Sequence, residues 1–284
     1  MPGEDFTYRS KDGLTLAGTH YGAGNPGLPV VCLPGLTRTT RDFALLARAL
    51  EEMGRQAVAF DYRGRGRSDR DPTGLTYTVP VELDDVVTGM EARGLGRSVI
   101  VATSRGGIIA MSMALARPDL VAGAVLVDVG SRIETAGLLR IKSYVGKAAP
   151  PLDFGMAAGM LRALNGESFP AFSDADWQAQ ARLTFAEVDG KPVADYDPAL
   201  ASGMAALTEA TPAIDLSHAF DALAGVPVMV IRGATSDLLT PETVAAMAAR
   251  HPGLVAIEVP GEGHVPMLRG GLVTAIVDFI FSIG

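Results

Sequence analysis

The stretch VATSRGGIIA, Val101 to Ala110, sits where an apolar run stops and a small-residue helical pattern starts. A serine at such a junction has two readings. Serine is a favoured helix N-cap, so Ser104 can be purely structural. Alternatively, a sharp strand-to-helix turn presents its hydroxyl as a nucleophile. The rest of the chain has to choose between them.

Outward from this junction, valine-rich runs alternate with helical patterns. PVVCLPG (29–35), RQAVAFD (55–61), SVIVATS (98–104) and GAVLVDVG (123–130) are continuous apolar runs. They suit strands buried on both faces of a parallel sheet. Between them the spacing predicts helices over Thr40–Met53, Val81–Ala92 and Arg105–Ala116, each followed by a glycine or proline stop. FTYRS (6–10) and LTLAGTHYG (14–22) read as a hairpin turned by Lys11, Asp12 and Gly13. Alternation of this kind implies right-handed βαβ crossovers.

From Ser131 to Ala224 no valine-rich strand appears. Alanine, methionine and leucine dominate, with turns at AAPP (148–151), SFPAF (168–172), VDGKP (188–192) and TPAID (211–215). This segment reads as an insertion of several helices. Strands resume at VPVMVIRG (226–233) and LVAIEVPGEGH (254–264), with helices over Pro241–Arg250 and Leu272–Ile283. The expected organisation is a core of residues 1–130 and 225–284 and a helical cap of residues 131–224.

Bulk properties bound the function. The 284 residues carry a formal charge of −8, which disfavours nucleic acid and anionic membrane as partners. The single cysteine, Cys32, forms no internal disulfide and sits in a valine run as a buried small hydrophobe. The N-terminal MPGEDFTYRSKDG lacks a signal-peptide core, and no apolar run is long enough to span a bilayer. The expectation is a cytoplasmic protein acting on a small molecule.

Ligands of parallel sheets bind beyond the carboxyl ends of the strands. Just there lie Pro34-Gly35-Leu36-Thr37, Asp61, Ser104, Asp128, Asp237 and His264. A nucleophile, carboxylates and a general base thus converge on one rim. Of the four histidines, His20 falls in the hairpin, His218 in the insertion and His251 at a helix end; His264 alone follows a late strand.

At this point the chain resembles the α/β-hydrolase superfamily, over almost its whole length. FDYRGRGRSD is similar to the stretch after the fourth strand in capped members, RGATSDLLTP to the acid loop and PGEGHVPM to the histidine loop. The resemblance implies a mostly parallel eight-stranded sheet with helices on both faces and a cap inserted after strand 6. It implies Ser104 as nucleophile, His264 as base and Asp237 as acid. Asp128, ending the sixth strand, is an alternative acid, or a brace for loop amides. The backbone N–H groups of Leu36 and Arg105 would form the oxyanion hole. Two departures stand out: Ala102 replaces the first glycine of the usual G-x-S-x-G, and Pro34-Gly35 replaces His-Gly. Ala102 is small enough to keep the turn working.

The Arg105 side chain either pairs with Asp61 or Asp128 or binds a substrate carboxylate. Trp177 and Met156, Met160 and Met204 read as helix-packing residues, with Trp177 a candidate substrate contact. Arg63, Arg65 and Arg67 read as solvated or loop-bracing charges. No metal or cofactor is called for. The implied activity is hydrolysis of an ester, thioester or lactone of a small apolar acyl compound. C–C bond hydrolysis of a vinylogous diketone uses the same three residues, and a ligand-sensing protein with vestigial turnover would share the fold.

Overall fold

A computed structural model of the chain describes residues 3–147 and 151–284. In chain order the strands are β1 (Glu4–Arg9), β2 (Thr15–Tyr21), β3 (Val30–Leu33), β4 (Ala57–Asp61), β5 (Ser98–Thr103) and β6 (Val121–Val127). They continue with β7 (Arg132–Ile133), β8 (Phe185–Val188), β9 (Lys191–Ala194), β10 (Ile214–Asp215), β11 (Val228–Gly233) and β12 (Val255–Val259). The helices are α1 (Ala44–Glu52), α2 (Val79–Ala92), α3 (Arg105–Ala116), α4 (Thr135–Tyr144) and α5 (Phe154–Asn165). After them come α6 (Asp174–Thr184), α7 (Ser217–Asp221), α8 (Pro241–Arg250) and α9 (Gly270–Ile283).

Eight strands form one sheet in the order β1-β2-β4-β3-β5-β6-β11-β12. The β1–β2 and β2–β4 pairs are antiparallel, and every pair from β4 through β12 is parallel. The valine runs follow from burial on two sides, since successive side chains in a strand point to opposite faces. In β5, Ile100 and Ala102 join the core shared with α2 and α3, while Val99 and Val101 join the core shared with α1 and α9. Cys32 lies in the second of these and is buried, so desolvation pushes its thiol pKa up and leaves it unreactive.

The segment between β6 and β11 contains more than the expected helices. Phe185–Val188 and Lys191–Ala194 form an antiparallel hairpin, β8–β9. Its turn residues, Asp189 and Gly190, both have positive φ (51° and 75°). An Asp-Gly pair adopts that conformation readily, and it matches the twist of two short strands. At the base of the segment β7 pairs with β10, and Leu216 N–H donates to the Ser131 carbonyl, so entry and exit are tied together. Phe169, Trp177 and Phe185 form a separate apolar cluster within it. Ile133, Ile141, Met204 and Phe220 instead pack into the sheet's own core. Of the turn expected at 148–151, residues 148–150 lie outside the described residues.

The arginines after β4 are buried braces rather than solvated charges. Arg63 is 1% exposed and pairs bidentately with Asp85 (2.6 and 2.8 Å) and with Asp12. Arg65 is equally buried; its Nη1 stands 2.7 Å from Glu82 Oε1 and its Nε donates to the Leu36 carbonyl. Arg67 reaches Asp61 and Asp5. Glu82 is fully buried and also receives Arg105 Nε at 2.7 Å, so one carboxylate separates two guanidinium groups. Removing one partner of a buried charge set typically costs about 3–5 kcal/mol. Glu82→Ala is therefore expected to lower unfolding free energy by about that amount, measured by urea denaturation, with Glu82→Gln losing less.

Candidate active site

β5 ends directly in the turn that carries Ser104. Its φ of 49° and ψ of −112° place a non-glycine residue in the left-handed region, a strain of roughly 1–3 kcal/mol. The turn is held by Ser104 N–H donating to the Val127 carbonyl and Gly107 N–H donating to the Ser104 carbonyl. A side chain at Gly106 is impossible without moving backbone, because its Cβ would stand 2.1 Å from the Leu33 carbonyl oxygen. Ala102, in contrast, fits as a fully buried residue of β5.

Ser104 makes no side-chain capping bond to α3. Its Oγ lies 2.9 Å from His264 Nε2 instead. His264 Nδ1 lies 2.7 Å from Asp128 Oδ2. These three side chains, from the segments that follow β5, β6 and β12, form one hydrogen-bonded chain. Asp128 is fully buried at the end of β6, with φ 53°. Its Oδ1 accepts from Gly233 N–H (2.8 Å), and its Oδ2 also accepts from Ser236 Oγ (2.6 Å). The brace and the histidine partner are the same carboxylate.

Asp237 does not hold the histidine. It forms a bidentate pair with Arg140 of α4, at 2.6 and 2.9 Å. Burial would raise the Asp237 carboxyl, but the Arg140 guanidinium more than offsets this and keeps it below the usual carboxylate range. The residue just before it, Ser236, donates through Oγ to Asp128, so this loop reaches the histidine's carboxylate partner through Ser236.

Neither Leu36 N–H nor Arg105 N–H donates a hydrogen bond to any described residue. Leu36 sits in a turn closed by Arg38 N–H donating to the Gly35 carbonyl. A Cβ on Gly35 would lie 3.9 Å from Ser104 Cβ, so this turn passes close by the stem of Ser104. The Arg105 side chain points away from the cleft: its partner is Glu82, not Asp61 or Asp128, with a further bond to the Tyr77 carbonyl. Asp61 instead accepts from Thr40 N–H and Arg67.

A cavity of about 420 Å³ opens above Ser104 and His264. Gly35, Leu36, Thr37 and Arg38 line one side, and Val265–Leu268 another. The inserted segment supplies Ile141, Met160, Leu161, Phe169, Trp177 and Phe185. Trp177 therefore faces the cavity, whereas Arg105 does not line it; Met204 packs in the core and Met156 is exposed. Among the described residues no cluster of three His, Cys, Asp or Glu side chains is arranged to hold a metal. Arg38, Asp42 and Arg140 all carry charge at or beside this cavity, and no sequence motif marked them.

The fold and this geometry define a class, and comparison with known proteins agrees. The model of the alpha/beta hydrolase family matches residues 30–276, and the chain belongs to that family and is a hydrolase. The 3-hydroxybutyrate-oligomer hydrolase of Cupriavidus necator is 35% identical over 268 residues, covering 91% of this chain and 90% of that one. An alpha/beta hydrolase structure from Novosphingobium aromaticivorans superposes with a TM-score of 0.91 at 36% identity, covering 99% and 98% of the two chains. The 2-(acetamidomethylene)succinate hydrolase of Mesorhizobium japonicum is 28% identical over 207 residues, 73% of this chain and 71% of that one. Among the described residues no helix is long and apolar enough to cross a membrane.

The two aspartates can be separated by kinetics. Asp128→Asn is expected to lower kcat by about 10⁴, because the amide selects the wrong histidine tautomer. Asp237→Asn is expected to cost less than about tenfold, since it disturbs α4 and not the histidine. Steady-state assays of both variants check this ordering.

Proposed function

We propose that the chain is a serine hydrolase that cleaves an ester, thioester or lactone of a small, largely apolar acyl compound through an acyl-enzyme, with residues 131–224 as its cap. The observation that carries this reading is the Asp128–His264–Ser104 hydrogen-bonded chain opening into a mainly apolar cavity.

In the proposed reaction His264 Nδ1–H donates to Asp128, which leaves Nε2 free to accept. As Ser104 Oγ attacks the acyl carbon, its proton passes to His264 Nε2 and the carbonyl π pair moves onto oxygen. The N–H groups of Leu36 and Arg105 receive that oxyanion, and the N-terminus of α3 adds partial positive charge. Collapse breaks the bond to the leaving group, which departs with the proton from Nε2. Water repeats the attack on the acyl-enzyme, its proton going to His264 and then back to Ser104 Oγ. The buried Asp128 carboxylate offsets the imidazolium that forms twice in this cycle.

The ester reading is also supported by the 35% identical relative, whose name is that of an oligomer hydrolase. A fluorophosphonate probe is expected to label Ser104 in the folded wild-type protein, located by peptide mass spectrometry. Ser104→Ala is expected to lose label and at least about 10³ of the turnover on short nitrophenyl esters. Labelling elsewhere, or turnover confined to a ring-fission dienone, would sink the acyl-ester reading.

A further inference from the structure

The cavity is lined mainly by apolar side chains, yet among the described residues one arginine lines it: Arg38. Three of its five N–H groups are engaged. Nε and one Nη2 N–H donate to Asp42, at 2.8 and 2.5 Å, and one Nη1 N–H donates to Thr184 Oγ1 at the end of α6. Two remain without a partner among the described residues, one on each terminal nitrogen. The guanidinium is held flat and mostly buried, so little rotamer freedom remains for a ligand to remove. Its stem also touches the oxyanion turn: a Cβ on Gly35 would meet Arg38 Cγ at 3.2 Å and Ser104 Cβ at 3.9 Å.

Position and charge together select what this group can bind. The turn that carries Leu36 carries Arg38 two residues later, and both line the cavity beside Ser104. Asp42 already neutralises the cation and itself lines the cavity. An incoming carboxylate would gain from Arg38 and be repelled by Asp42 across a few ångströms of low dielectric. A neutral carbonyl suffers no such repulsion and can accept from a free donor. The alternatives for those donors are water, or an apolar acyl chain that leaves them unpaired at a cost.

We propose that Arg38 is a specificity-determining residue that receives a second, neutral carbonyl on the acyl part of the substrate, one or more bonds beyond the carbonyl under attack. The preferred substrates are then oxo-acyl or oligoester compounds rather than plain fatty acyl esters or dicarboxylate half-esters. This rests on the acyl-ester reading above and deepens it.

The test compares nitrophenyl esters that differ by a single carbonyl: pentanoate against 4-oxopentanoate, hexanoate against 5-oxohexanoate, and the hemisuccinate as the charged probe. Wild-type protein is expected to favour at least one oxo ester over its plain counterpart by about tenfold in kcat/KM, mostly through KM, and to disfavour the hemisuccinate. In Arg38→Met that preference ratio is expected to fall towards one, with Arg38→Lys intermediate. If Arg38 merely fastens the inserted segment through Thr184, both members of each pair lose the same factor and the ratio stands, which overturns the proposal. Equal wild-type rates within every pair overturn it without any variant, and so does a preference for the hemisuccinate. Those outcomes leave the acyl-ester reading intact. Absence of turnover on all five esters, together with failure of the phosphonate to label Ser104, defeats that reading and this inference with it.

Discussion

Everything at the rim of the sheet hangs on one buried carboxylate. Asp128 has no exposed surface, and among the described residues no arginine or lysine pairs with it. Such a group is tolerable only if its lone pairs are met, and they are met by the Gly233 amide, the Ser236 hydroxyl and the His264 ring. Those three donors come from the end of β11, the loop behind it and the loop behind β12. One side chain therefore fixes the separation of two loops and the orientation of the imidazole. A carboxylate with this double duty is hard to replace: removing it takes away the histidine's partner and orphans a buried amide in the same stroke.

The strained turn at Ser104 is the complementary constraint. Its left-handed backbone turns Oγ away from the amides of α3 that a serine N-cap would satisfy and towards His264. The strain persists because the surroundings overdetermine it: β5 is flanked by β3 and β6, and α3 is pressed so close to β3 that Gly106 has no room for a Cβ. Alanine at 102 does not loosen this arrangement, because the contact that requires glycine lies on the helical side of the turn.

Much of the fold was legible because burial on both faces of a parallel sheet writes itself as unbroken valine runs. Such runs resemble little else when glycine and proline bound them. The meeting of Ser104 with His264 was legible for a related reason, each lying in the segment after a strand on one rim. The carboxylate that meets the histidine was harder. Two aspartates end neighbouring strands, and the choice between them turns on a few ångströms of loop path. It also turns on Arg140, which claims Asp237 from 97 residues away. No local pattern announces such a partner. Glu82 was invisible for the same reason: it sits on a helix face that looks merely polar, and only the tertiary fold brings Arg65 and Arg105 to it. The β8–β9 hairpin was half legible. Its Asp-Gly turn stands plainly in the sequence, but four-residue flanks holding Glu187 and Lys191 offer no alternation strong enough to be read as strands.

The polar links between core and insertion divide the work of the molecule. Arg38 reaches Thr184, Arg41 reaches Asp195, Tyr77 reaches Asp197 and Arg140 reaches Asp237. Of these residues Arg38 and Thr184 line the cavity, whereas Ser104, Asp128 and His264 all follow strands of the large sheet. Ion pairs with partly exposed members contribute little to stability individually, but directional bonds at several points fix where the segment between β6 and β11 sits. Substitution in the insertion can therefore reshape the cavity without disturbing Asp128, His264 or Ser104. Apolar walls alone discriminate weakly between chains of similar size, by about 1–3 kcal/mol per methylene. Sharper discrimination requires a polar group whose donors are left unmet by the wrong substrate. In the proposed reaction the Arg38 guanidinium, on the turn that passes beside Ser104, is the group so placed.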